Sequence, residues 1–323
     1  MLRKSFAKSN VFKSQAFVLI IIYAIMVLFF SLTTENYFSA KNFQGILSSL
    51  AVEGFVITGV IFVLLGGNFD MSVGSNIGLT STLIVYLFKI NCPIYLVIII
   101  ALLVGIFIGF LNGFITKIIG INSIITTLGV SAILLGVAYL INVFIGKEII
   151  TNDKFNHITR VYYRGVFPAI FLYMIIVFII AGLILKYTKF GRNLYCVGGN
   201  PEIARISGIN FKRTQILTFM ISGFMSSMGA IFLASKLGAG RPDFGENVTL
   251  DAITVCVLGG ILLSGGKGEL VGVFIALILL RSITSGLVML NIPIYIRYVV
   301  SGLILIIAIV INEIRYNRKV FNR

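Results

Sequence analysis

Apolar runs of about twenty residues, the length that crosses a bilayer core of about 30 Å, recur along this whole chain and limit its fold more than any other feature. In hydrocarbon, only helices and closed barrels satisfy every backbone polar group internally. A barrel would read as alternating segments of about ten residues, whereas stretches such as IYLVIIIALLVGIFIGFL are apolar throughout. The sequence therefore predicts an all-α polytopic membrane protein, a single transmembrane domain over 1–323. Charged residues make up 11% of it, against about 25% in a soluble domain.

Ten spans are expected, near 16–33, 43–66, 75–88, 94–118, 123–145, 165–187, 213–235, 250–264, 268–290 and 293–313. The third and eighth are short, and each adjoins a glycine-rich polar step, so broken or short helices are expected near the centre. The first apolar run is long and lacks a small-residue cleavage site, so it reads as a retained span. With the N-terminus in the cytoplasm, inside segments carry 16 Lys and Arg residues and outside segments nine. That bias places both termini inside. The net charge of +15 resides in loops and tails, where topology needs it. It points to lipid and not to a nucleic-acid partner.

Catalysis finds little support. His157 is the only histidine, and Cys92, Cys196 and Cys256 are too sparse for a metal cluster or disulfide framework. GGILLSGGKGE resembles a phosphate loop, but Ile261 and Gly268 occupy positions where a Walker A motif needs Gly and Ser/Thr. The chain is thus expected to bind no cofactor itself. Glu53 and Arg281 fall inside apolar spans. Such groups pair with each other, snorkel or serve a solute path.

The stretch GGNFDMSVGSNIG (66–78) interrupts the apolar pattern. Its glycines permit a break, and Asn68, Asp70, Ser72, Ser75 and Asn76 offer caps for the next helix. Two readings fit: a capped turn, or a discontinuous helix lining a polar passage. A faint echo, VLGGILLSGGKG (257–268), shares the apolar run, the Gly-Gly pair and the following Ser and Gly. Gly105, Gly109 and Gly113 lie four apart, a face on which helices approach closely. In the inside loop 186–213, Pro201, Glu202 and Gly208 mark the start, first turn and stop of a short helix.

Four of these segments carry a family resemblance that extends over nearly the whole chain. GGNFDMSVGS, GFLNGFITKIIGINSIITTLG, GRNLYCVGGNPEIARISGIN and RPDFGENVTLDAITVCVLGGILLSGGKGELVG resemble, in order, motifs of the membrane permease of ribose-type sugar ABC importers. The resemblance implies a non-catalytic transmembrane subunit in the bacterial plasma (inner) membrane. It would form the pathway for a monosaccharide such as ribose, or a related sugar, polyol or nucleoside. The implied partners are an ABC ATPase that holds ATP-Mg, an extracytoplasmic solute-binding protein and a second permease copy, identical or not. The coupling segment would be about 191–212, with Glu202, Arg205 and Gly208 at the ATPase. Asn68, Asp70, Ser72, Asn112 and Asn122 would lie near the pathway, since neutral polar groups suit a hydroxylated solute. The chain departs from the family pattern at Asn68-Phe69, at Asn122-Ser123-Ile124, at Glu246-Asn247-Val248, and at Glu53 and Arg281. The alternatives are a stand-alone secondary transporter or channel for a small polar solute, and a membrane-bound enzyme.

Overall fold

The structure is a computed structural model that describes residues 15–146 and 149–321. Its helices in chain order are α1 (Gln15–Thr33), α2 (Ala40–Leu65), α3 (Val73–Lys89), α4 (Ile94–Phe114, extended by a π turn Ile115–Ile119) and α5 (Ser123–Ile145). Then come α6 (Asp153–Arg160), α7 (Ala169–Tyr187), α8 (Lys189–Gly199), α9 (Pro201–Ile206), α10 (Phe211–Leu237), α11 (Val248–Leu258), α12 (Leu270–Met289) and α13 (Ile294–Phe321). Two-residue strands β1 (Tyr162–Tyr163) and β2 (Phe167–Pro168) pair antiparallel between α6 and α7.

Among the described residues, six helices are long and apolar enough to cross a membrane: Ala40–Leu65, Ile94–Ile119, Ser123–Ile145, Ala169–Tyr187, Phe211–Leu237 and Leu270–Met289. The most apolar window of α2 is 83% buried, against 22–33% for α4, α5 and α7. That contrast identifies α2 as the hub. Phe55, Ile57, Ile61, Phe62, Leu64 and Leu65 meet neighbours on every side. The peripheral helices instead expose Leu103, Phe107, Ile133, Leu140, Ile176 and Ile179, as suits a lipid-facing surface.

Small residues set the closest packing. The Gly105–Gly109–Gly113 face of α4 lies against α10. A Cβ on Gly113 would stand 2.9 Å from Ile216 Cα, and one on Gly109 2.7 Å from Met220 Cα. Backbones meet there because no side chain intervenes.

The two Gly-Gly steps share one geometry. At the end of α2, Gly67 has φ +74. Its N–H donates to Leu64 O (2.9 Å), and Asn68 N–H donates to Val63 O (3.1 Å). At the end of α11, Gly260 has φ +98, Gly260 N–H donates to Val257 O (3.0 Å) and Ile261 N–H to Cys256 O (3.0 Å). Both are Schellman caps, which need the left-handed residue that glycine supplies. The next helix end repeats too. Asn91 and Asn291 hold positive φ at the ends of α3 and α12, each two residues before a proline. Helices α2–α3–α4 therefore recur as α11–α12–α13.

Between α5 and α7, Asn152 caps α6 through Phe155 N–H (3.0 Å). One expectation changes. The segment 186–213 holds two helices, α8 and α9, where the sequence pattern indicated one.

Candidate functional site

The break between α2 and α3 spans residues 66–72, and its backbone is held by side chains from other helices. Phe69 N–H donates to Ser123 Oγ (3.2 Å) and Met71 N–H to Thr127 Oγ1 (3.0 Å), both on α5. Gly74 N–H, in the first turn of α3, donates to Thr249 Oγ1 on α11 (3.0 Å). Gln215 on α10 donates to Gly66 O (2.8 Å). Ser72 occupies the N-cap position of α3 but makes no side-chain cap bond. Non-helical backbone at membrane depth requires such substitutes.

Asp70 is the acidic side chain at the centre of this break. Its Oδ1 accepts from Ser72 N–H (3.0 Å) and Ser72 Oγ (2.6 Å), and its Oδ2 from Ser222 Oγ on α10 (2.7 Å). Asn112 on α4 donates to Ser72 Oγ (2.7 Å). Asp70, Ser72 and Asn112, singled out from sequence, thus form one buried network. Asn68 is also buried but folds back on Gly66 O (3.1 Å). Asn122 stands apart: it is exposed and caps α5 through Ile124 N–H (2.9 Å). A cavity of about 400 Å³ opens beside the break, lined by Met71, Gly74, Ser75, Ser131, Glu246 and Thr249 among others.

The break also rests on two other chain segments. Gly266, in the loop after α11, donates its N–H to Leu65 O (2.9 Å). A Cβ on Gly198 of α8 would stand 2.7 Å from Gly266 N and 3.0 Å from the Leu65 carbonyl carbon. One on Gly265 would stand 2.7 Å from Gly67 Cα. The echoing Gly-Gly segments therefore meet in space, with the end of α8 wedged against both. Tyr195 on α8 adds a hydrogen bond to Gly268 O (3.1 Å).

Beyond this junction, α9 is a short helix facing outward. Asn200 Oδ1 accepts from Glu202 N–H (3.0 Å) and Ile203 N–H (3.1 Å). Gly208, at φ +73, closes the helix. Glu202, Arg205 and Gly208 are all exposed, and Ile203 and Ile206 lie bare beside them at 61% and 87%. Farther along α2 from the break, Arg281 forms ion pairs with Glu53 and with Asp251 (2.6 Å).

Residues 42–309 match the family described as branched-chain amino acid transport system / permease component. The chain belongs to this family. The permease is 33% identical over 302 residues to the L-arabinose transport system permease protein AraH of Escherichia coli (strain K12), covering 93% of this chain and 90% of that one. It is 32% identical over 300 residues to the ribose import permease protein RbsC of Bacillus subtilis (strain 168), covering 90% of each. It is 30% identical over 362 residues to the xylose transport system permease protein XylH of Haemophilus influenzae, covering 92% of this chain and 96% of that one. No solved structure matches it.

As a permease component, the chain is a multi-pass membrane protein whose task is passage and not catalysis. Sequence reasoning missed several members of its polar interior. Ser222 and Ser227 lie in ISGFMSSMG, which reads as small-residue packing. In the structure, Ser222 binds Asp70, and Ser227 binds both Thr80 (3.1 Å) and Asn76 Oδ1 (3.3 Å). Asp251 was hidden by its place in the first turn of α11, where an acid needs no other explanation.

Proposed function

We propose that this permease is the transmembrane subunit of an ABC importer for a monosaccharide or a related polyol or nucleoside. Its relatives' names, for L-arabinose, ribose and xylose, support the solute class. Ten crossings result when α1, α3, α11 with its following loop, and α13 join the six long helices. Both termini then lie in the cytoplasm of a bacterial cell, in agreement with the excess of Lys and Arg on that side. A separate ATPase binds ATP-Mg, an extracytoplasmic binding protein delivers the solute, and a second permease copy completes the pathway.

The observation that carries this reading is the wedge of α8 and α9. One end exposes Ile203, Ile206, Glu202 and Arg205. The other touches both Gly-Gly breaks through backbone. A partner that moves α9 moves the breaks, and with them the Asp70–Ser72–Asn112 network beside the pathway. Asn68 belongs to the same break, and Asn122 stands at the foot of α5, which holds the break through Ser123 and Thr127. Within this buried network both carboxylate oxygens of Asp70 are engaged, while Asn112 Oδ1 has no hydrogen-bond partner among the described residues.

The test replaces Glu202 with Arg. The variant inserts normally but no longer retains the ATPase in pull-down from membranes. Wild-type retention would show that this loop does not dock the ATPase. Uptake in proteoliposomes by the permease alone, without ATPase, would establish a secondary transporter or channel in its place.

A further inference from the structure

A cavity of about 480 Å³ lies between α2, α11, α12 and α13, on the far side of the Pro242–Gly245 turn from the cavity beside the break. Glu53, Asp251 and Arg281 line it together with Asn247, Thr254 and Ser301. The volume falls within the range of about 300–1,000 Å³ usual for small-molecule sites.

We propose that this cavity binds an uncharged polyhydroxylated solute of monosaccharide size, with Glu53, Asp251 and Arg281 as its polar floor. The solute class rests on the importer reading. The site itself rests on geometry. The Arg281 side chain is 10% exposed and is fixed from two directions, Nε on Glu53 and Nη2 on Asp251. Its Nη1 donates no hydrogen bond among the described residues, so it remains a donor for a ligand oxygen. Each carboxylate uses one oxygen on Arg281: Oε2 of Glu53 and Oδ2 of Asp251. The second oxygens are acceptors for hydroxyl groups, and carboxylates are strong ones. A sugar offers both donors and acceptors. An anion would meet four carboxylates, those of Glu53, Asp243, Glu246 and Asp251, for one guanidinium. Tyr298 supplies an aromatic ring on the cavity wall for the apolar face of a sugar ring.

Packing does not explain these charges. Apolar residues in place of a buried ion pair are often equally stable or more so, and charges within membrane spans mark functional sites by default.

The chain has no tryptophan, so Tyr298→Trp gives a single fluorescent reporter on the cavity wall. The full-length variant in nanodiscs is titrated with D-ribose, L-arabinose, D-xylose and myo-inositol, and with methylammonium as a small cation. We expect a saturable change at millimolar concentration for at least one polyol. Adding Glu53→Gln weakens it about tenfold or more, the scale of one charged hydrogen bond. Adding Ser301→Leu, which fills the cavity without touching the ion pairs, abolishes it. No response to any polyol, a response to methylammonium alone, or a response unchanged by both substitutions would overturn the proposal. ATP-driven uptake by the complete importer is scored separately. Its absence refutes the importer reading, while the titration alone judges the cavity.

Discussion

Two adjacent glycines at the end of α8 should respond in opposite ways to the same substitution. Both lie in the helix, and neither has a positive φ, so alanine is not strained by backbone conformation at either position. A Cβ on Gly199 would find Gly266 Cα 3.9 Å away, an ordinary contact. A Cβ on Gly198 would find Gly266 N at 2.7 Å and the Leu65 carbonyl carbon at 3.0 Å, with Leu65 O closer still. Comfortable spacing begins at about 3.5 Å, and all of these neighbours are backbone. Gly198→Ala must therefore part α8 from the α2 terminus and strain the Gly266 N–H to Leu65 O bond. Forced separation costs about 1–3 kcal/mol, and loss of the hydrogen bond about 0.5–1.5 kcal/mol. Alanine returns up to about 1 kcal/mol of helix propensity at either position. The net is about 2 kcal/mol of destabilisation for Gly198→Ala and a gain of up to about 1 kcal/mol for Gly199→Ala. At about 2–4 °C per kcal/mol, the two variants should differ by about 6–12 °C in the temperature at which the purified chain loses its monodisperse chromatographic peak. Equal midpoints would show that α8 is not wedged against the break and does not carry motion to it.

Two further outcomes follow from charge and burial. Arg281→Met removes the guanidinium that Glu53 and Asp251 share and leaves Glu53 with Lys236, which lines a smaller cavity beside it; the loss should cost up to about 3–5 kcal/mol. Adding Glu53→Leu and Asp251→Leu should restore most of it, and the same chromatographic assay decides. On α8, burial first and the Glu269 carboxylate second hold the Tyr195 phenol above its ordinary value of 10.0. Neutral Tyr195 then contributes stability that is complete below about pH 10 and is lost as pH rises through the raised value in the folded chain. Tyr195→Phe should flatten the alkaline limb of stability measured from about pH 9 to 11, at the expense of the hydrogen bond to Gly268 O.

Some of this architecture was legible in the sequence because single residues have few physical options. A Gly-Gly pair closing an apolar run permits a break, and at both steps the helix ends there, in a left-handed cap. Two lone charges in apolar spans must find partners, and Arg281 found Glu53. The Gly105–Gly109–Gly113 face declared a close helix contact, though not with which helix. Other parts depend on contacts between segments distant in sequence. KFGRNLYCVGG contains three glycines and little periodicity, so α8 was hidden; the Thr188 cap on Gly191 N–H (3.1 Å) and packing against α7 and α10 make it a helix. Asn122 was expected beside the pathway with the residues of the break, yet its side chain serves the start of α5. The repeat of α2–α3–α4 as α11–α12–α13 rests on φ angles at Asn91 and Asn291, which no letter pattern singled out.

Helix α2 joins the two ends of the proposed pathway. Glu53 lies twelve residues before Leu65, about 18 Å along a continuous helix, between the floor of one cavity and the glycine junction. A helix buried on all sides cannot bend easily without disturbing its neighbours, so a shift at Leu65 is a shift at Glu53. Thermodynamic reciprocity then gives the arrangement a second direction. In the proposed importer, whatever factor an ATPase docked on α9 imposes on solute affinity at Glu53, a bound solute imposes on the affinity of α9 for the ATPase. The permease would thus report to its motor, through one rigid helix, whether it is carrying cargo.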